Sequence, residues 1–378
     1  LEISSPGHLD LKADAAAKNL LDANRMEASA RFEGDFRDLA FLKALLPDTA
    51  LRRRVAIPAL IRLRGSAGAD RGTFSTASTL SADGGELSVK GRFNPREQSY
   101  DAAIRADSFP LNGFLPADSL GIVDLALQAR GTGFDPLLPR TRTSLRAQIG
   151  RAEFGGRDFG GIELDAELDS QRLSGRISDR DEALRLLLSV SGTLTEREQR
   201  IGLSGSVFGF DLAALGVSPE PIGGSFALDA SASAAGKGAY AARIALDSIE
   251  IRNKHRTDRI RPTSVSLHTD SATTRAEAAS GDLSLTFSTP QSADSLIAAL
   301  TRSARTLAGQ IDAQSIDMEQ LKPALPDFAL RVSAGPDNIL NSLLKSRKIA
   351  FDALNAEGAN CDSLPVSIRL RTEGLAYG

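Results

Sequence analysis

The side chains that most often perform catalysis or bind metals are rare in this chain. Histidine occurs only at His8, His255 and His268, and cysteine only at Cys361. No His-Glu-x-x-His pair is present to bind zinc, and a single cysteine cannot form an internal disulfide. Neither a Gly-x-Ser-x-Gly turn nor a phosphate-binding P-loop occurs. The sequence therefore predicts a protein that is not an enzyme, with no metal site and no cofactor.

Charged side chains are abundant, but their patterns indicate solvated surface. Glu163, Asp165 and Glu167 alternate with apolar residues, which is typical of the water-facing side of a strand and not of a Ca²⁺ loop. Basic residues cluster at 52–54 and within 252–261. These clusters suit either phosphate headgroups or an acidic partner, and the alternative, which we favour, is a solvated loop.

Composition excludes some classes of partner. The 378 residues include 45 Lys plus Arg and 48 Asp plus Glu, so the net charge of -3 gives no general attraction to nucleic acid or anionic lipid. Trp is absent and aromatic residues total 5%. Single-stranded nucleic-acid binders need aromatic rings for base stacking, and sandwich cores use them for bulk. We therefore predict no nucleic-acid partner.

Alternation of apolar and polar residues dominates the sequence. Residues 161–170 read Gly-Ile-Glu-Leu-Asp-Ala-Glu-Leu-Asp-Ser, which places apolar side chains on one face of a strand and acids on the other. Comparable segments recur every 10 to 14 residues or so and end at Gly, Asp, Asn or Ser, which predicts about twenty antiparallel strands. The candidate binding residues on the apolar face are Leu87, Val89, Val123, Leu125, Leu127, Ile162, Leu164, Leu168, Ile201, Leu203, Phe226, Leu228, Leu283 and Leu285.

Helical periodicity is confined to a few short segments. A helix is expected at 38–46, another at 317–321 and a last one from Asp337. The strongest pattern runs over 292–308, where Thr289 or Ser292 caps the helix. Its predicted apolar face consists of Leu296, Ile297, Leu300, Ala304 and Leu307.

A degenerate motif occurs four times along the chain. Each copy has an apolar anchor, a short turn with Leu and Pro, and a strand that ends in Gly; the anchors are Phe36, Phe109, Phe210 and Ile316. Repetition of this kind predicts an extended, stacked architecture. Chance similarity among Leu-rich turns is the alternative.

The third copy carries a family resemblance. Residues 210–219 read Phe-Asp-Leu-Ala-Ala-Leu-Gly-Val-Ser-Pro, and 223–230 read Gly-Gly-Ser-Phe-Ala-Leu-Asp-Ala. This unit resembles those of the TamB-like and AsmA-like translocation and assembly module family. The later segments 290–310, 316–326 and Asp337-Asn338 are similar to the Bacteroidota branch of that family. The likeness runs over essentially the whole chain, although its motifs are short.

The resemblance implies a location and partners. It implies an inner-membrane anchor outside these residues, a periplasmic bridge to the outer membrane, and an apolar groove that carries phospholipid acyl chains. For part of the family it also implies an Omp85-type outer-membrane assembly partner, met by a region outside this chain. Because the chain starts at Leu1 and ends at Gly378 in a strand-like run, we expect a fragment of a longer protein.

The expected fold is mainly β: an elongated, curled antiparallel sheet of repeats with a few short helices near the C-terminal end. We expect a continuous β-groove over 1–289, a helix-containing insertion over 290–347 and a return to strands over 348–378. The apolar side of such a sheet must be covered or must bind something. Two functions therefore stay open, lipid transport between the membranes in support of outer-membrane biogenesis, and a non-catalytic periplasmic scaffold without lipid cargo. A closed sandwich is the alternative architecture.

Overall fold

The computed structural model describes residues 1–5, 7–19, 25–37, 55–115, 120–236, 238–254, 256–312, 317, 325–346, 349–361 and 364–377. Strands account for 66% of these residues, and 23 strands belong to one antiparallel sheet. The predicted fold class is therefore confirmed. The helices expected at 38–46 and over most of 317–321 lie outside the described residues.

The chain divides into two units, Leu1–Val190 and Ser191–Gly378. The boundary falls inside strand β13 (Leu184–Leu194), so a strand and not a linker lies at this point. The first unit begins with short β1 and continues with long strands. Its strands are β1 (Glu2–Ser5), β2 (Leu9–Lys18), β3 (Glu27–Arg37), β4 (Leu60–Asp70), β5 (Thr73–Ala82), β6 (Gly85–Asn94), β7 (Ser99–Pro110), β8 (Leu120–Thr132), β9 (Arg142–Phe154), β10 (Arg157–Phe159), β11 (Ile162–Asp169) and β12 (Arg172–Arg180).

In the first unit each described strand pairs antiparallel with its neighbours in the sequence, from β1 through β9. β10 and β11 then pair with successive parts of β9, and β12 pairs with β11. Gly155 and Gly156, with φ of 58° and 75°, form the β9–β10 turn, because two consecutive residues with positive φ suit the two-residue hairpin.

The second unit follows the same scheme and contains both α-helices that the structure describes. Consecutive long strands pair antiparallel, β17 and β18 pair with successive parts of β16, and β22 with β25 forms a separate pair. Its elements are β14 (Glu198–Asp211), β15 (Gly223–Ala235), β16 (Tyr240–Arg252), β17 (Thr257–Ile260), β18 (Thr263–Thr269), β19 (Thr274–Ser280), β20 (Leu283–Thr289), α1 (Ala293–Asp312), β21 (Phe328–Ala334), α2 (Ile339–Ser346), β22 (Ile349–Ala350), β23 (Ala353–Cys361), β24 (Leu364–Glu373) and β25 (Ala376–Tyr377).

β-Bulges precede two of the predicted repeat anchors. The β7–β8 register shifts between Ala106 and Phe109, and the β14–β15 register shifts between Val207 and Phe210. Residues three apart normally face opposite sides of a strand, but the extra residue of a bulge brings them back to the same side. Phe109 is therefore buried, with its ring 5.3 Å from that of Phe114. The fourth anchor, Ile316, lies outside the described residues.

Helix α1 forms where the sequence predicts it, with Ser292 as the N-cap: its Oγ accepts a hydrogen bond from the Ser295 N–H at 3.3 Å. The predicted apolar face is wrong. Only Leu296 of that set is buried, whereas the other four are exposed; the buried stripe contains Leu296, Ala299, Ser303 and Gln310. The Ser303 hydroxyl donates to the Ala299 carbonyl at 2.9 Å, so this small residue is satisfied within the helix and can be buried. The exposed members of the predicted face are Ile297, Leu300, Ala304 and Leu307.

Two asparagines hold helix α2. The Asn338 Oδ1 accepts from the Asn341 N–H at 2.9 Å, which makes Asn338 the N-cap, and its Nδ2 donates to Asp282 at 2.6 Å. Asn341 is fully buried and bonds the backbone of Phe351 through both Nδ2 and Oδ1. Arg261 adds an ion pair of 2.7 Å to Asp337. The helix is therefore fixed by polar contacts as well as by packing.

Candidate functional site

The register of the first unit brings its predicted binding residues onto one face. Directly paired residues in an antiparallel sheet project to the same side. Leu127 pairs with Ile104 on one side and Ala147 on the other, and Ala147 pairs in turn with Leu164. A single cross-strand row from β6 to β12 therefore consists of Val89, Ile104, Leu127, Ala147, Leu164 and Ile177.

A second row runs beside the first. Leu125 pairs with Ala106 and with Ile149, and Ile149 pairs with Ile162. Leu87 joins this row through Ala106. Val123 and Leu168 lie on the same side, by strand alternation from Leu125 and Leu164. The eight residues predicted for this unit thus share one surface, which we call the apolar face of the first unit: Leu87, Val89, Val123, Leu125, Leu127, Ile162, Leu164 and Leu168.

The second unit has an apolar face of the same construction. Leu203 pairs with Ala230, Ala230 with Ile244, and Ile244 with Val265. The row continues through β19, β20, β21 and β23 to β24 as Ala278, Leu285, Val332, Ala356 and Leu370. The predicted residues on this face are Ile201, Leu203, Phe226, Leu228, Leu283 and Leu285.

These apolar faces are incompletely covered. Thirteen of the fourteen predicted residues are half-buried, and Ile201 is 43% exposed. Ile244 and Val265, neighbours in one row, are 47% and 46% exposed. These rows are therefore contiguous apolar surface that is partly open to solvent, and such surface indicates a binding site.

The opposite faces are charged and internally paired. Arg64 lies 3.0 Å from Glu33, Arg146 lies 2.8 Å from Asp165, and all four side chains are mostly exposed. Cross-strand ion pairs of this kind contribute little stability but keep the surface hydrated. The alternation of polar and apolar residues in the sequence therefore gives each strand one charged, hydrated face and one apolar face.

The basic loop of the second unit is largely neutralised by ion pairs. Arg256 lies 2.7 Å from Asp258, Arg259 lies 3.1 Å from Glu250, and Arg261 bonds Asp337. This arrangement fits the solvated-loop interpretation better than a free phosphate site. The other cluster, 52–54, and His255 lie outside the described residues.

Among the described residues, few ionisable side chains have a shifted pKa, and those that do are not clustered. Burial raises the pKa of the Asp179 carboxyl, although backbone N–H groups of Asp181 and Arg180 bond it. The Arg142 guanidinium and the Ser170 hydroxyl hold the pKa of Asp169 below its usual value. His8 and His268 are both exposed. Within the described ranges no three His, Cys, Asp or Glu side chains come together as a metal site would require.

Several face residues were not anticipated from the sequence. Ile104, Ile149 and Ile177 belong to the rows, and alternation along β7, β9 and β12 was the signal that could have found them. Phe134 is different, because it lies in a loop, where no periodicity exists. Its ring nevertheless stacks on Tyr100 of β7, with centroids 5.4 Å apart.

Neither described helix has the combined length and hydrophobicity of a membrane-spanning segment. No protein-family model matches the chain, and no curated protein or solved structure is significantly similar to it. The two apolar faces and the resemblance of the sequence motifs are therefore what indicates a function for this chain.

Proposed function

We propose that this chain binds phospholipid acyl chains along its apolar faces and carries lipid between the inner and outer membranes, in support of outer-membrane biogenesis. The observation that supports this most directly is the unbroken row from Val89 to Ile177. Its side chains present carbon alone and remain partly open to solvent. An acyl chain is the ligand that gains most from such a surface, because it has no polar groups to desolvate.

The envelope location, the membrane anchor outside this chain and the Omp85-type partner are part of the same proposal. They are supported by the motif resemblance at 210–230 and 290–338. The rows themselves support only the ligand class. In this proposal the protein has no catalytic role, since the side chains of the row from Val89 to Ile177 are hydrocarbon only.

The test is native mass spectrometry of the purified chain, expressed in a Gram-negative host. The expected result is a set of mass increments equal to those of the host's phospholipids, lost after detergent exchange. A chain that folds, as shown by its circular dichroism, yet never carries lipid would contradict the proposal. The non-catalytic scaffold without lipid cargo would then become the better interpretation.

A further inference from the structure

A polar cavity lies on the charged side of the second unit. It has a volume of about 490 Å³, which is in the size range of small-molecule sites. Two neighbouring cross-strand rows line it, and their side chains share one face because paired residues project to the same side. The first row consists of Arg200, Ser233, Ala241, His268 and Arg275. The second row contributes Ser231, Arg243, Ser266 and Glu277.

This cavity lies on the side of the sheet opposite the apolar row. Arg243 precedes Ile244 and Ser231 follows Ala230, and both Ile244 and Ala230 belong to the apolar row of the second unit. By alternation, Arg243 and Ser231 therefore point away from that row. Three further residues border the cavity with their backbone only, because the same alternation turns their side chains to the apolar side: Ala232, Ala242 and Leu267. The cavity is consequently separate from the surface proposed to bind acyl chains.

Arg243 lacks the carboxylate partner that the register gives to other arginines of the charged faces. Arg331, for example, pairs with Glu357, and their side chains lie 3.3 Å apart. The register partners of Arg243 on the two adjacent strands are instead Ser231 and Ser266. Its exposed guanidinium forms no ion pair within the described part of the chain.

Arg275 is uncompensated in the same way. Its register partners are His268 and Ser288, and it forms no ion pair with any residue that the structure describes. Arg200, by contrast, lies 2.6 Å from Glu198. Two guanidinium groups without carboxylate partners therefore line the same cavity, and guanidinium groups are well suited to bind phosphate oxygens.

The other lining groups indicate what accompanies the anion. The hydroxyls of Ser231, Ser233 and Ser266 can donate or accept, and the Glu277 carboxylate can accept from a hydroxyl. None of the described residues that line the cavity is aromatic, so a nucleobase would have no ring to stack on. A phosphate monoester carries about two negative charges at neutral pH, which matches two guanidinium groups. The hydroxyl groups of a polyol match the serines and Glu277.

We propose that this cavity binds a phosphorylated polyol such as a sugar phosphate. Arg243 and Arg275 hold the phosphate, and the serines with Glu277 bind the hydroxyl groups. The inference goes beyond the proposed lipid-binding function and does not depend on it, because the cavity and the apolar row lie on opposite sides of the sheet. A phosphorylated polyol can be a free metabolite or the headgroup of a lipid, and the experiment distinguishes these two sources.

The test is isothermal titration calorimetry of the full chain with glucose-6-phosphate, and separately with glucose and with inorganic phosphate. We expect glucose-6-phosphate to bind more tightly than either part, since it alone offers both kinds of group. Arg243→Gln should weaken its binding about tenfold or more, through the loss of a charge-assisted hydrogen bond. The matched control is Arg331→Gln, which removes the same charge from the same side of the sheet at an ion-paired arginine outside the cavity. Its binding should be unchanged.

A second variant, Ser231→Glu, keeps both arginines. Its carboxylate would lie opposite Arg243 in the register and should form the cross-strand ion pair that this position lacks, so binding should fall while circular dichroism stays unchanged. Equal effects of Arg243→Gln and Arg331→Gln would mean general charge attraction and would overturn the site.

The remaining outcomes concern the ligand. Binding of inorganic phosphate as tight as that of glucose-6-phosphate would overturn the role assigned to the serines and Glu277. If the chain binds only vesicles that contain phosphatidylinositol monophosphate, and Arg243→Gln weakens this binding, the site stands and a lipid headgroup is the source. If none of these probes binds, the inference is wrong.

Discussion

The hydroxyl of Tyr100 lies 2.6 Å from the Oγ1 of Thr143, two strands away. The residue between them in the register is Gly131 of β8, which pairs with Tyr100 on one side and with Thr143 on the other. The tyrosine ring can lie across β8 because glycine presents no side chain. This bond satisfies the Tyr100 hydroxyl, and the carbon surface of the ring stacks on Phe134.

Replacing Gly131 should therefore be costly. A Cβ at this position would lie 2.7 Å from the Tyr100 hydroxyl oxygen and would also meet the Arg142 carbonyl. We expect Gly131→Ala to lower the free energy of unfolding by about 1–3 kcal/mol, through overpacking and loss of the Tyr100 bond. Urea unfolding followed by circular dichroism measures it. Gly91→Ala is the control, because its Cβ would meet nothing closer than 3.7 Å; equal costs would contradict the explanation.

Charge on the apolar face should block lipid binding. Leu127→Asp places a carboxylate in the middle of a row, where an unpaired charge is unfavourable for the face and for a bound acyl chain. The matched control is Gln128→Asp, which adds the same charge to the opposite face next to Arg146. Copurifying lipid, counted by native mass spectrometry, should fall for the first variant and not for the second.

The same contrast extends over both units. Aspartate at Leu125, Leu164, Leu203 or Leu228 should act like Leu127→Asp, whereas neutral substitutions at Glu163, Asp165 or Asp229 should have little effect. Because the faces are half-open, a new carboxylate can still reach water, and the folded state should survive. Folded apolar-face variants that bind as much lipid as the controls would refute the binding role of the face.

Helix α2 should depend on Asn338. Asn338→Ala removes the N-cap and the 2.6 Å bond to Asp282, so we expect a loss of about 1–3 kcal/mol in the free energy of unfolding. Asn355→Ala, at an exposed position of β23, should be nearly neutral. Denaturant titrations of both variants measure the two free energies of unfolding. Similar midpoints for the two would show that capping contributes nothing at this helix.

The raised pKa of Asp179 predicts a pH effect with a definite sign. Between the carboxyl's unfolded pKa, about 4, and its higher folded value, the folded chain keeps a proton that the unfolded chain releases. The wild type therefore loses stability as pH rises through this window, and Asp179→Asn should gain relative to it. Asp169, whose pKa is lowered, should give the opposite trend in Asp169→Asn. Unfolding curves at acidic and neutral pH test both, and trends of the same sign would contradict the assignment.

Helix α1 offers a comparison of adjacent residues. Leu296 is 9% exposed and Ile297 is 62% exposed. Leu296→Ala should cost about 2–4 kcal/mol, whereas Ile297→Ala should be neutral or slightly stabilising, since Ala is the better helix former. Thermal unfolding of the two variants distinguishes this burial from the one predicted by hydrophobicity alone, in which both substitutions would be costly.

The strands and their faces could be predicted because burial and alternation report the same geometry. Ile162, Leu164 and Leu168 alternate with acids, and the structure places them on one side without exception. The buried face of α1 could not be predicted, because it includes Ser303 and Gln310, whose polar groups are satisfied by hydrogen bonds that hydrophobicity does not report. The stacking of Phe134 on Tyr100 was missed for another reason: hydrogen bonds within the loop position Phe134, and they leave no periodic pattern in the sequence.

Pairing between strands that are neighbours in the sequence affects how the protein folds and how its length can change. In each unit most described strands pair with the next long strand in the sequence, so most of the loops that must close are short and little chain entropy is lost before each pair forms. Folding can therefore start at several hairpins and spread to their neighbours. Inserting or deleting one hairpin would leave the registers on either side intact. Such a sheet can change its length by pairs of strands during evolution while preserving its two chemically distinct sides.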